Sequence, residues 1–266
     1  MKNSWLAKKI TIIKNPLPGL NWGQRCFVKL LMLAFGHLIT VENPEELNSL
    51  PEPLIFAFNH NNSFEAILVP CYLIYLRSGK KISFIIDWMF GRIPLIGFIF
   101  KQIDPVYVYN KPSTIHFLNR SRRKDRIGTI TQQCLDRLNN GKSLGIFPEG
   151  TRNNHSGKLL RGKSGIGEIA IKSEIPVVPI GIYFTKLNRE GNIPEFGRMI
   201  LRIGKPLTFS GEIAEYQNNN LTKSNLKAQR KLQIHLHSLV TYRIMNRLAD
   251  LSGKNYPFPK PELNKT

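Results

Sequence analysis

A histidine and a glutamate five positions apart form the first pair of residues suited to acid–base chemistry. His60 and Glu65 lie in the segment NHNNSFE, residues 59–65, directly after an apolar run. In one regular helix their side chains would point about 140° apart, so they meet only if a turn separates them. Ser63 suits a helix N-cap, which places His60 on a loop and Glu65 in the first helical turn.

A carboxylate that accepts the proton of one imidazole nitrogen leaves the other as a base, so the pair predicts general-base chemistry without a protein nucleophile. The alternative is a loop histidine with only a local hydrogen bond.

A second polar segment, FPEGTR, occupies residues 147–152 and also follows an apolar run. Pro and Gly favour a tight turn that exposes backbone N–H groups, and the guanidinium of Arg152 offers two parallel donors to a phosphate. Thr151 adds a hydroxyl. Further cations follow closely, at Lys158, Arg161 and Lys163. The segment therefore predicts an anion site, and the alternative is a charged loop on a basic protein.

The charge balance indicates an acidic partner. The 266 residues include 38 Lys and Arg against 18 Asp and Glu, which gives a formal charge of +20. Nucleic acid, an anionic membrane surface or a phosphorylated substrate would each fit. The cations are dispersed, and the sequence has no helix-turn-helix, zinc-finger or RNP-like pattern, so we expect no nucleic-acid partner. Three widely spaced cysteines and the absence of Cys/His clusters predict neither a disulfide framework nor a metal site.

Strand-like and helix-like stretches alternate along most of the chain. This alternation predicts one α/β domain with a mostly parallel central sheet flanked by helices. Both polar segments follow an expected strand, and the strand ends of such a sheet are where ligands usually bind. Strands are expected at 54–58, 82–86, 144–147, 177–183 and 199–203, and helices at 127–138, after 165 and at 232–248. Asn140-Gly141 is expected to end the first of these helices. The Pro- and Lys-rich residues 253–266 are expected to form a flexible tail.

The first 45 residues have a different character. Their first 41 positions carry cations and no acid, together with Trp5, Trp22 and the apolar run 27–39. This pattern predicts an N-terminal amphipathic helix lying in a membrane interface. No apolar run reaches the length of about 18 residues that spans a bilayer, and the start lacks a signal-peptide pattern. We therefore expect peripheral or monotopic association with an anionic membrane surface on the cytoplasmic side. The alternative is an ordinary amphipathic helix packed on the core.

The two polar segments together resemble the glycerolipid acyltransferase family, the 1-acylglycerol-3-phosphate (lysophosphatidate) acyltransferases and their relatives. That family has a histidine followed five residues later by an acid, and then FPEGTR. Here Glu149 lies 89 residues after His60, a similar spacing. The resemblance covers roughly residues 30 to 210 and implies an acyltransferase domain at 46–252. It extends to Pro94, Gly97 and the segments 162–165 (GKSG), 177–180 (VVPI) and 204–206 (GKP).

The resemblance implies transfer of a fatty acyl group from acyl-CoA or acyl-carrier protein to a free hydroxyl of lysophosphatidate or a related glycerolipid, in phospholipid biosynthesis. His60 would be the general base and Glu65 would orient it. The acyl thioester is a co-substrate, and neither a further cofactor nor a metal is implied. The acceptor site would be formed by Glu149, Gly150, Thr151 and Arg152, with Arg152 on the phosphate, and flanked by Asn59, Phe147, Pro148 and Lys163.

Two departures from the family pattern keep alternatives open. The family usually has Asp where this chain has Glu65, and it often has an Arg at about the position of Pro105. Five downstream cations either substitute for that Arg or form a solvated basic loop; they are Arg120, Arg122, Arg123, Lys124 and Arg126. The alternatives are an acyltransferase with a different lipid acceptor and a catalytically degenerate lipid-binding protein on the same scaffold.

Overall fold

The computed structural model describes residues 9–47, 50–88, 105–108, 129–221 and 225–263. This part of the chain contains seven strands, which are β1 (Ile39–Glu42), β2 (Ile55–Phe58), β3 (Ile82–Asp87), β4 (Val106–Val108), β5 (Ser143–Ile146), β6 (Val177–Phe184) and β7 (Met199–Ile203). They form one sheet in the order β1-β7-β6-β2-β5-β3-β4. All neighbouring pairs are parallel except β6 and β7, which are antiparallel. The predicted mostly parallel sheet is confirmed.

Helices cover both faces of the sheet, and several begin and end at residues with clear capping chemistry. The N–H of Gln132 donates to the Thr129 hydroxyl (3.1 Å) at the start of the helix Ile130–Asn139. The expected end of that helix is present, with Gly141 in the left-handed region at φ +71°. The described helices are α1 (Trp22–Phe35), α2 (Glu65–Leu76), α3 (Ile130–Asn139), α4 (Gly165–Ser173), α5 (Ser210–Leu221) and α6 (Leu226–Ser252), and residues 9–14 are also helical.

The sheet separates two apolar cores because neighbouring strand residues point to opposite faces. In β2, Phe56 and Phe58 join the core beneath α1 and α2, whereas Ile55 and Ala57 join the core beneath α3, α4 and α6. All four side chains are fully buried. Helix α6, which the sequence predicted at 232–248, also buries its apolar face. The buried residues at helical spacing are Leu236, Val240, Ile244 and Leu248. A central strand buried on both faces explains why β2 reads as a continuous apolar run.

Helices α4 and α6 are in close contact at Gly167. A Cβ placed on Gly167 of α4 would lie 2.0 Å from the carbonyl oxygen of His237 in α6 and 2.8 Å from the Thr241 hydroxyl. The N–H of Gly167 also donates to that hydroxyl (3.3 Å). Glycine at this position therefore sets the helix separation by steric necessity.

The predicted N-terminal segment contains both a helix and a strand. Helix α1 packs against α2, and its inward face is buried at Val28 and Met32, as the packing alternative expected. Its other side leaves Trp22 81% and Leu30 66% exposed. Strand β1 occupies the end of the segment and pairs with β7, so residues 39–42 belong to the sheet and not to an interface helix. Membrane contact of α1 stays a prediction.

An ion pair between Glu52 and the buried Arg77 lies just before β2, at the sheet edge away from the polar segments. Glu52 pairs with Arg77 and with Lys80 (3.1 Å), and it accepts the Ser143 hydroxyl (3.0 Å). The Arg77 side chain is only 6% exposed. Burial opposes ionisation of Glu52, but the charge of Arg77 and these hydrogen bonds outweigh it and lower the pKa of Glu52. The pair thereby ties the turn before β2 to the end of α2.

Several sequence expectations fall outside the described residues. These are Lys2, Trp5, Lys8, residues 89–100 with Pro94 and Gly97, Ile103, Asp104 and the basic residues 120–126. Pro105 is described: it is buried, and its carbonyl accepts a hydrogen bond from the Arg137 guanidinium (3.2 Å).

Candidate functional site

The two polar segments meet at the carboxyl edge of the sheet. Strands β2 and β5 are parallel neighbours, so the loops that follow them, 59–64 and 147–164, leave the same edge side by side. The N–H of His60 donates to Glu149 Oε1 (2.9 Å), and the N–H of Asn153 donates to the His60 carbonyl (2.8 Å). Residues 89 positions apart in sequence are thus joined directly.

His60 and Glu65 are in contact, as their spacing predicted. Nδ1 of His60 lies 3.3 Å from Glu65 Oε1. The carboxylate is fully buried, whereas the imidazole keeps 16% of its surface exposed and packs on the Phe147 ring at 4.4 Å between centroids. A carboxylate accepts hydrogen bonds only, so this geometry assigns the ring proton to Nδ1 and leaves Nε2 with a free lone pair.

Asn61 supplies the remaining hydrogen-bond donors to the Glu65 carboxylate. Its backbone N–H donates to Oε1, and its side-chain Nδ2 donates to Oε2 (2.8 Å). Together with His60, these donors satisfy a carboxylate that has no access to water. Both oxygens are therefore held in a fixed orientation towards the imidazole.

The start of α2 differs from the expectation in its capping residue. Glu65 does open the helix, but the Ser63 side chain does not cap it. Instead the Asn62 side chain accepts the N–H of Glu65 (2.9 Å) and donates to the Pro194 carbonyl (2.8 Å). The N–H of Ser63 donates to Glu195 (2.9 Å). Residues 193–196 thus contact loop 59–64, which carries His60 and is called the histidine loop below.

Glu149 is oriented inward, and its role in shaping the acceptor site stays a prediction. Its side chain is 2% exposed. Oε1 accepts the N–H of His60, and Oε2 accepts the N–H of Leu160 (2.8 Å) and Nδ2 of Asn153 (3.1 Å). With both oxygens occupied by donors of two loops, Glu149 fixes the loops to each other and does not line the mouth of the site.

The rest of FPEGTR lies at the rim. Gly150, Thr151 and Arg152 are exposed, and Gly150 has φ +65°, which favours glycine. A Cβ at Gly150 would lie 2.6 Å from Nζ of Lys163, so the lysine side chain crosses over this turn. The Arg152 guanidinium donates to the Ser63 hydroxyl. Two cations are therefore placed at this turn, Arg152 against Ser63 and Lys163 over Gly150.

The remaining flanking residues have structural positions. Asn59 is buried and exchanges two hydrogen bonds with Ile182 of β6, donating to its carbonyl (3.0 Å) and accepting its N–H (2.6 Å). Phe147 provides the surface beneath the imidazole. The Pro148 carbonyl accepts the N–H of Lys163 (2.9 Å) and closes the loop that carries the cation.

Lys254 belongs to the site, although sequence reasoning placed it in a flexible tail. Its side chain is buried, and Nζ donates to Oδ1 of Asn61 (2.7 Å). Burial lowers the pKa of Lys254, while Glu149 and Glu65 oppose that shift. The expectation of a loose tail is wrong at residues 254–256, because Asn255 pairs with Gly157 and Leu159 through the backbone. Nothing in the local pattern GKNYP distinguishes this lysine from a solvated one.

The arrangement is suited to removing a proton from a bound hydroxyl. An imidazole with Nδ1 held by a buried carboxylate presents a basic Nε2 at the opening, and cations beside it favour an anionic substrate. Neither buried thiol is a nucleophile, since burial raises the pKa of Cys71 and of Cys134 to about 12.

Comparison with known proteins shows the family of this chain. Residues 38–183, more than half of the chain, match the family model described as Acyltransferase, and the matched range contains both polar segments. The chain belongs to the acyltransferase family. The predicted resemblance is confirmed.

Relatives of this acyltransferase carry consistent names. It is 29% identical over 238 residues to the 1-acyl-sn-glycerol-3-phosphate acyltransferase of Haemophilus influenzae, covering 87% of this chain and 84% of that protein. It is 26% identical over 210 residues to the protein of the same name in Saccharomyces cerevisiae, covering 76% of this chain and 59% of the yeast protein's length. Its fold is similar to the crystal structure of the 1-acyl-sn-glycerophosphate acyltransferase PlsC from Thermotoga maritima, with a TM-score of 0.50 and 21% identity over 85% of this chain and 80% of that one.

The acyltransferase has no membrane-spanning helix in its described part, because none of the helices there is both long and apolar enough to cross a bilayer.

Proposed function

We propose that this acyltransferase transfers a fatty acyl group from a thioester, acyl-CoA or acyl-carrier protein, to the free hydroxyl of lysophosphatidate or a closely related lysophospholipid. The observation that carries the proposal is the contact between His60 and the buried Glu65, with Arg152 bonded to Ser63 of the loop that carries His60. The names of the relatives from H. influenzae and S. cerevisiae support the same acceptor.

The reaction needs one base and no acyl-enzyme. Nε2 of His60 takes the proton of the acceptor hydroxyl while the oxygen attacks the thioester carbonyl carbon, so a C–O bond forms and an oxyanion develops. Collapse of this intermediate breaks the C–S bond. The leaving thiolate takes the proton back from the imidazolium, which leaves the carrier as a free thiol. Glu65 stabilises the imidazolium through Nδ1 at 3.3 Å.

The acceptor phosphate would be recognised at the rim. Arg152 and Lys163 stand on the same loop, and the Arg152 guanidinium reaches the histidine loop at Ser63. A planar guanidinium binds two phosphate oxygens at once, and an ammonium adds a third contact. With the phosphate bound there, the proposal has the glycerol hydroxyl, a few bonds away, reach Nε2 of His60.

Membrane attachment is part of the proposal. Trp22 and Leu30 are exposed on α1, and Ile10 and Ile13 in the preceding helical residues are 43% and 57% exposed. Apolar side chains on a strongly basic chain suit the interface of an anionic membrane, where a lysophospholipid acceptor resides. We place the membrane on the cytoplasmic side, where acyl thioesters are available.

The test is acylation by the purified protein on anionic vesicles, with lysophosphatidate, glycerol 3-phosphate and neutral lysophospholipids as acceptors. His60→Ala should abolish turnover, and His155→Ala is the control, because His155 is an exposed histidine of the neighbouring loop. Turnover that survives in His60→Ala would reject the mechanism. Preference for a neutral lysophospholipid would favour the alternative acceptor class, and vesicle binding without turnover on any acceptor would favour a degenerate lipid-binding protein.

A further inference from the structure

The chain returns to the site after its last helix. Helix α6 ends at Gly253, which adopts φ +68°. The chain then pairs with the 157–159 loop: the N–H of Asn255 donates to the Gly157 carbonyl, and the N–H of Leu159 donates to the Asn255 carbonyl, both at 2.9 Å. These bonds leave Lys254 with a fixed backbone position behind the histidine loop.

The ammonium of Lys254 determines which way the Asn61 amide faces. Oδ1 of Asn61 accepts from Nζ of Lys254 (2.7 Å) and from Nδ2 of Asn59 (3.2 Å). Two donors on one side oblige the amide to present its oxygen there. Its NH2 group consequently faces the opposite way and donates to Oε2 of Glu65 (2.8 Å). A rotated amide would set NH2 against NH3⁺, an arrangement without a hydrogen bond.

Lys254 also supplies the positive charge that two buried carboxylates need. Glu65 and Glu149 are 0% and 2% exposed, and both interact electrostatically with the ammonium. Carboxylates withdrawn from water are costly unless charge and hydrogen bonds compensate them. Lys254 is itself only 8% exposed, so its charge is poorly screened.

We propose that Lys254 is a positioning residue for acyl transfer, acting through Asn61 to hold Glu65 against His60. The inference rests on the proposed function, since it assigns to Lys254 the orientation of the base. The C-terminal segment after α6 is accordingly a component of the active site, although Lys254 touches neither acceptor nor thioester in this assignment.

The test compares Lys254→Met with Lys260→Met, an exposed lysine of the same segment. We expect Lys254→Met to lower kcat by about 10- to 100-fold, because a displacement of about 1 Å at the base costs that much. KM for both substrates should change by less than about three-fold, since the acceptor cations are untouched. Lys260→Met should match the wild type. Lys254→Gln, which retains an N–H donor without the charge, should lie between the two.

A double-variant cycle separates positioning from general stability. If Lys254 acts through Asn61, adding Lys254→Met to Asn61→Leu should lower kcat by less than about three-fold beyond Asn61→Leu alone. Losses that multiply would overturn the proposal, as would a folded Lys254→Met with wild-type kcat. If neither Lys254→Met nor Lys254→Gln folds, the residue is structural and the proposal is also overturned. His60→Ala in the same assay tests the proposed function independently, because full activity there rejects the base itself.

Discussion

Replacing Glu65 by Gln is the sharpest test of how the site orients its base. The carboxylate accepts from Nδ1 of His60 and from the N–H of Asn61 at Oε1, and from Nδ2 of Asn61 at Oε2. All three partners are donors. A glutamine replaces one acceptor by NH2, so at least one donor must face another donor.

Neither orientation of the new amide satisfies all three donors. If its NH2 faces His60, the imidazole adopts the tautomer with the proton on Nε2 and cannot act as a base. If its NH2 faces Asn61, relief requires rotation of the Asn61 amide, which Lys254 opposes. A wrong tautomer in a histidine–carboxylate pair costs about 10,000-fold in kcat, so we expect a fall of about 1,000- to 10,000-fold.

Steady-state acyl transfer to lysophosphatidate measures kcat, and thermal unfolding shows whether the variant is folded. Glu65→Asp keeps the acceptor but shortens the reach by one methylene, so its loss should be smaller, about 100-fold. Glu190→Gln, on an exposed loop, is the matched control and should retain wild-type activity. A folded Glu65→Gln protein within about 10-fold of the wild-type kcat would show that the Glu65 carboxylate does not set the tautomer of His60.

Two further predictions concern stability, measured by chemical denaturation. Gly167→Ala should lower the free energy of unfolding by about 3 kcal/mol, because its Cβ would lie 2.0 Å from the His237 carbonyl oxygen. Gly165→Ala, in the same helix with no atom within 4 Å of its Cβ, should change it by less than about 1 kcal/mol; equal effects would contradict the helix contact. Glu52→Gln should cost about 2 kcal/mol at neutral pH by leaving Arg77 buried without its carboxylate. Since the folded pKa of Glu52 lies below its unfolded value of about 4.5, this stabilisation is complete above that pH and is lost as the pH falls through the folded pKa. The variant and the wild type should therefore converge in acid, and a constant difference would be inconsistent with the ion pair.

The central strands and the helices that pack on them could be predicted because their burial produces apolar patterns in the local sequence. Strand β2 is buried on both faces, so its residues form an apolar run, and the α6 stripe recurs at helical spacing. Strands β1 and β4 were missed. They are short edge strands of four and three residues, and β1 continues an apolar run that also contains most of α1.

The cap of α2 shows why local rules fail where several residues compete. The sequence predicted Ser63 as the cap, and the structure uses the Asn62 side chain. The choice is made by the loop 193–196, which engages Asn62 through Pro194 and Ser63 through Glu195. Both contacts join residues 132 positions apart, so the sequence around residue 62 does not predict them.

In the site, the contact between His60 and Glu65 could be predicted from the sequence, because the residue types, their spacing and a turn between them suffice to bring the two together. The inward orientation of Glu149 and the contact of Lys254 with Asn61 could not, because they join residues 89 and 193 positions apart. Both depend on loops that converge after β2, β5 and α6. Burial and hydrogen-bond partners are properties of that convergence, and a charged residue has the same appearance in a sequence whether it meets water or a buried amide.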